Sequence, residues 1–178
     1  MENLQEAKAG LKKMFIAQVG SVACVVLMLI PIVNLIAALA TLVFLVLSIV
    51  GLYQAGKDIE GCKTAFMLTI ANLVVNVLKS FLGTGSVGTL LTMAQAALNL
   101  AVIYFVCTSV SAVMNKIGSS DVAKLGNTVW IINLIAILAS VLLLFFALFP
   151  TMNVIASCIP LIGTVFYMLF LYKSSNAI

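Results

Sequence analysis

The chain has no histidine, no arginine and only five acidic residues: Glu2, Glu6, Asp58, Glu60 and Asp121. Without histidine it lacks the commonest general base and metal-ligating side chain. None of the acids lies within an apolar run, so no carboxylate stands at membrane depth, where a proton- or sodium-coupled transporter usually carries one. A Ser–Lys pair fares no better, because Ser80 and Lys79 are sequence neighbours and point to different sides of a helix. The expectation is a protein that is not an enzyme and holds no cofactor and no metal. Four cysteines, Cys24, Cys62, Cys107 and Cys158, form no close pair and no Cys-x-x-Cys, and they read as small buried hydrophobes rather than a disulfide framework.

Long polar segments are also missing. Hydrophobic residues make up 64% of the 178, and the mean hydropathy is +1.28, which excludes a soluble globular domain. Three runs, 14–56, 64–114 and 128–172, are apolar, and only Lys79 puts a charge inside one. One membrane span takes about 20 helical residues, so each run crosses twice and folds back. The expected fold is an all-α polytopic membrane protein with six transmembrane helices arranged as three antiparallel hairpins. The first run is too long for a signal-peptide core, so the first helix is expected to stay.

The nine lysines orient this path. Lys8, Lys12 and Lys13 fall in segment 1–13, Lys57 and Lys63 in loop 57–63, Lys116 and Lys124 in loop 115–127, and Lys173 in tail 173–178. All eight lie on one side of a six-helix path, which the positive-inside bias assigns to the cytoplasm, with both termini there and the protein in the plasma (cell inner) membrane. Tyr53, Trp130 and Tyr172 are placed to mark that interface. The net charge of +4 follows from this bias and is no nucleic-acid signal. Leu4, Ala7 and Leu11 of segment 1–13, followed by Met14, recur at helical spacing, which suggests an interfacial helix.

The first and third runs resemble each other. Positions 14–54 align without gaps on 133–173, and thirteen of 41 positions agree, among them Pro31 with Pro150, Asn34 with Asn153 and Tyr53 with Tyr172. Pro31, Asn34, Pro150 and Asn153 mark the two far turns, since proline removes a donor and disfavours helix before it. Copies separated by an even number of helices form a parallel repeat, unlike the inverted repeats of many secondary transporters.

The middle run departs from the other two. Thr69, Asn72, Asn76 and Lys79 share one face of the third helix, and Thr92, Gln95 and Asn99 share one face of the fourth. The turn 83–88 is centred between Gly85 and Ser86, so residues at equal depth have numbers summing to 171. Asn72 then meets Asn99, Asn76 meets Gln95, and Lys79 meets Thr92. Such a ladder either satisfies itself across a helix pair or lines a path or pocket. Lys79 lies near the far end, where its ammonium is expected to extend to the lipid headgroups. Gly83-x-Gly85-x-x-Gly88 matches a dinucleotide fingerprint only by letters, because it follows an apolar helix rather than a strand.

In size and helix count alone, the chain resembles the substrate-binding subunits of energy-coupling-factor vitamin transporters. Those subunits close over ligand with substantial outer loops, and the far turns here are minimal, so no family is assigned. Two functional expectations follow, the first ahead of the second. One is a self-associating or partner-associating membrane subunit, a homo-oligomer or part of a larger membrane complex. The other is a small channel or facilitator for a neutral solute or ion, lined by Asn72, Asn76, Lys79, Thr92, Gln95 and Asn99. A transporter's substrate-binding subunit ranks behind both.

Overall fold

The computed structural model describes residues 4–28, 30, 33–82, 86–145 and 150–178, the side chains of 86, 141–145 and 150–159 excepted. These residues form six helices: α1 Gln5–Leu27, α2 Asn34–Asp58, α3 Glu60–Leu82, α4 Ser86–Lys116, α5 Ser120–Phe145 and α6 Pro150–Ala177. Among the described residues, five helices are long and apolar enough to cross a membrane. α1 is unbroken, so residues 5–13 continue into the same helix as the first apolar run instead of forming a separate element.

The breaks near the lysines are short and have local causes. Only Ile59, in an extended conformation, separates α2 from α3. Lys57 lies in the last turn of α2, just before its final residue Asp58, and Glu60 opens α3; Lys57 and Glu60 have the sign their helix dipoles favour. α4 ends in a Schellman motif: Gly118 has a φ of 84°, and Ser119 N–H donates to Met114 O at 2.8 Å. Of the expected far-turn residues, Asn34 is the first of α2 and Pro150 the first of α6, so Asn153 falls within that helix's opening turn. Pro31, Gly83 and Gly85 lie outside the described residues.

Each helix packs on the next in the chain, and α6 returns to pack on α1. The six therefore stand in a closed ring. Cross-helix contacts bring the lysine-bearing ends together. Ala7 N–H donates to Asp58 Oδ2 at 2.7 Å, joining the start of α1 to the end of α2. Glu6 pairs with Lys57 at 3.7 Å, Phe15 meets Tyr172 with centroids 5.3 Å apart, and Trp130 meets Tyr104 edge-on at 5.2 Å.

The ring is filled at this end. Leu11, Met14, Cys62, Val106, Val110, Met114 and Phe170 are fully or almost fully buried and belong to one cluster drawing on all six helices. α1 and α2 touch backbone to backbone within it. A Cβ on Gly10 would sit 2.5 Å from Gly51 O and Ala55 N, and a Cβ on Gly51 would sit 2.8 Å from Gly10 O. Away from the lysines, packing thins. Among the described residues of α2 and α3, the only buried side chain beyond Gly51 and Ala65 is Ala37.

Candidate functional site

Directly above the packed end lies a cavity of about 230 Å³. Every helix lines it: α1 through Gln18, α2 through Ser48, α3 through Thr69 and Asn72, α4 through Asn99, α5 through Asn133, and α6 through Thr164 and Tyr167. A second cavity of about 530 Å³ between α4, α5 and α6 shares Asn99, Ile103, Asn133 and Thr164 with the first. It extends past Thr92 to Thr89, toward the far end of α4.

The hydrogen bonds of the lining give the cavity a chemical character. Asn133 is 5% exposed, and its Nδ2 donates to Val129 O at 2.9 Å and to Gly163 O at 3.2 Å. Both partners are carbonyls, so the amide has one workable orientation and Oδ1 remains as an acceptor. That oxygen lies over the bare face of Gly163, where a Cβ would come within 2.5 Å of it. Thr69 Oγ1 donates to Ala65 O at 2.8 Å, and Thr164 Oγ1 donates to Pro160 O at 3.0 Å. Each hydroxyl proton is thereby committed to its own helix, and only lone pairs are left for another partner. Asn72 Nδ2 donates to Asn99 Oδ1 at 2.8 Å, while Asn72 Oδ1 is buried and has no partner. Amide and hydroxyl groups with both donors and acceptors, Gln18, Ser48, Asn99 and Tyr167 among them, therefore line the space, with no carboxylate among the lining residues.

The polar ladder is partly realigned. Asn72 and Asn99 come together as their depths require. Lys79 does not meet Thr92, whose hydroxyl donates instead to Gly88 O at 2.8 Å. The ammonium of Lys79 bonds Gln95 Oε1 at 3.3 Å. Gln95 lies three residues further along α4, about 4.5 Å closer to the packed end. The expectation that Lys79 reaches outward to the headgroups is thus corrected: its ammonium turns inward because an amide oxygen on the neighbouring helix is within reach. Asn76 is exposed and forms no hydrogen bond with Gln95; its backbone carbonyl accepts from Ser80 Oγ at 3.2 Å.

Sequence reasoning did not find Gln18, Asn133 and Tyr167 as parts of one site. One signal for Asn133 was present: Asn133, Ala136 and Ser140 recur at spacings of three and four, and all three line the larger cavity. No described group of three histidine, cysteine, aspartate or glutamate side chains is placed to hold a metal ion. No protein-family model, curated protein or solved structure matches this chain. The fold and site together define a helical protein of membrane-spanning character with an open, largely apolar cavity that carries several amide and hydroxyl groups.

Proposed function

We propose that this is a non-enzymatic integral membrane protein whose six helices form a small facilitator for uncharged polar solutes, such as polyols and amides, closed at the packed end in this structure and opening there for a solute to pass. The observation that carries the reading is the set of amide and hydroxyl side chains, among them Gln18, Thr69, Asn72, Asn99, Asn133 and Thr164, that line one cavity bounded by all six helices of a single chain. Such groups can exchange hydrogen bonds with an uncharged polar solute as it sheds its water.

The eight lysines gathered at the packed end support a cytoplasmic placement of that end and of both termini, by the positive-inside bias. The architecture on this reading is three antiparallel hairpins with a parallel repeat. Burial supports it at matched positions: Ala17 and Ala136 are both buried, as are Leu52 and Leu171.

The competing reading, a subunit built to associate with copies or partners, gains less from the geometry. Its best support would be exposed apolar faces such as Leu35, Ile36 and Phe81, but a bilayer covers such faces without any protein partner. The cavity needs no second copy to complete it.

The test is stopped-flow swelling of liposomes containing the purified protein, challenged with glycerol, erythritol and urea. The reading requires at least one of these to enter about ten-fold faster than into protein-free liposomes. Rates equal to protein-free liposomes for all three remove it, and a fixed-stoichiometry complex in native mass spectrometry would then favour the subunit reading.

A further inference from the structure

We infer that a cleft between α2 and α3 at the lysine-bearing end holds the phosphate of an anionic phospholipid, a site separate from the two cavities and independent of the conducting reading. The cleft has a volume of about 300 Å³ and is lined by Tyr53, Gly56, Lys57, Lys63 and Phe66. Both charged groups on it are lysines, and no acid is among the described lining residues. The acids nearest in sequence stand aside: Asp58 Oδ2 accepts from Ala7 N–H at 2.7 Å, and Glu60 is exposed outside the lining. Lys63 has no ion pair among the described residues. Lys57 pairs with Glu6 at 3.7 Å, but both side chains are about half exposed, and so open a pair yields readily to a closer anion.

The lysines and the rings form two layers. Tyr53 lies one turn before Lys57 on α2, and Phe66 lies one turn after Lys63 on α3. Because the chain turns back at Ile59, both rings stand on the bilayer side of their lysines. The two rings meet with centroids 5.7 Å apart, and Lys57 Nζ is 5.7 Å from the Tyr53 centroid. Gly56 brings the two lysine-bearing turns together: a Cβ there would stand 2.9 Å from Lys63 N, so only a bare backbone allows the approach. Two ammonium groups donate charge-assisted hydrogen bonds to phosphate oxygens, and the exposed ring layer covers the glycerol and first methylenes of a lipid. Free phosphate would engage the lysines and leave the rings unused, which is why the lipid is the better ligand. Basic pockets between transmembrane helices at headgroup depth suit anionic lipids on the same physical grounds.

The experiment is native mass spectrometry of the full chain in detergent, titrated with phosphatidylglycerol and with phosphatidylcholine of the same acyl chains. Wild type is expected to bind phosphatidylglycerol about ten-fold more tightly. Lys57→Gln combined with Lys63→Gln is expected to bring the two lipids within about two-fold of each other. Lys116→Gln combined with Lys124→Gln, an equal loss of charge from exposed positions outside the cleft, is expected to keep the preference. Tyr53→Ala is expected to weaken phosphatidylglycerol binding, and inorganic phosphate is expected not to displace the lipid. Should the first pair lose its monodisperse elution, Lys63→Gln against Lys124→Gln carries the comparison. A preference unchanged in the cleft variants, or lost equally in both pairs, overturns the inference, the second result assigning it to the general field of the lysines. Displacement of the lipid by millimolar inorganic phosphate, with Tyr53→Ala binding as wild type, assigns the cleft to free phosphate and overturns the lipid.

Discussion

Replacing Gly10 by valine is expected to remove most of the folded protein. The atoms facing Gly10 are Ala55 N and Gly51 O, both 2.5 Å from where a Cβ would stand. These are backbone atoms of α2, so no side chain can rotate away to make room. Even Gly10→Ala forces the two helices apart along the contact that carries Leu11, Met14, Leu52 and Ala55, all essentially buried. Overpacking of this kind costs about 1–3 kcal/mol for small groups, and a β-branched side chain meets it with three carbons. Helix pairs in membranes depend on such close approach, because lipid offers no hydrophobic penalty for separation. Ala38→Val, at an exposed position on the same α2, is the control. Thermal denaturation followed by size-exclusion chromatography in detergent should show Gly10→Val aggregated, Gly10→Ala melting earlier than wild type, and Ala38→Val unchanged. Normal melting of Gly10→Val would show that α1 and α2 do not approach as described.

The second large effect belongs to Asn133. Its amide ties α5 to α6 through Gly163 O at 3.2 Å, and the residue lines both cavities. Asn133→Leu keeps the number and branching of the side-chain heavy atoms, with bulkier methyl groups, and removes the hydrogen bonds and the polar lining together. The interhelical hydrogen bond is worth about 0.6–2 kcal/mol in membrane proteins, so the protein should still fold. Solute entry should fall much further, about ten-fold, because an uncharged solute must then shed its water against an apolar wall. Asn133→Asp discriminates between the two roles: its carboxyl group has no N–H for Val129 O and Gly163 O, yet it keeps a polar side chain at the cavity lining. Glycerol entry checks the prediction, and Asn133→Leu conducting at the wild-type rate would detach this residue from the route.

Sequence patterning reached the parts of this structure that are local. Apolar run length and charge placement identify the helices, and depth arithmetic within one turn brings Asn72 to Asn99. The arithmetic fails for Lys79 because equal depth applies to backbones, and a long flexible side chain reaches the better acceptor, Gln95, a turn away. What lay beyond reach is the closure of the ring. Asn133 on α5, Gln18 on α1 and Thr69 on α3 share one cavity only because α6 packs back on α1. No periodicity within a single helix records that return. The hydroxyls of Thr69 and Thr164 look like donors in the sequence and become acceptors once bonded to their own backbones.

The most direct test is whether water reaches Asn99 from one side only. In a background with all four cysteines replaced, Asn99→Cys and Val110→Cys would be challenged with a membrane-impermeant maleimide in sealed, oriented vesicles. The structure places Asn99 on the lining of both cavities and Val110 fully buried in the packed end. The account predicts rapid labelling of Asn99→Cys from the face opposite the lysines, none from the lysine face, and no labelling of Val110→Cys from either. Asn99→Cys unreactive from both faces would mean that the polar residues satisfy one another in a dry interior, and would contradict a solute route through the ring.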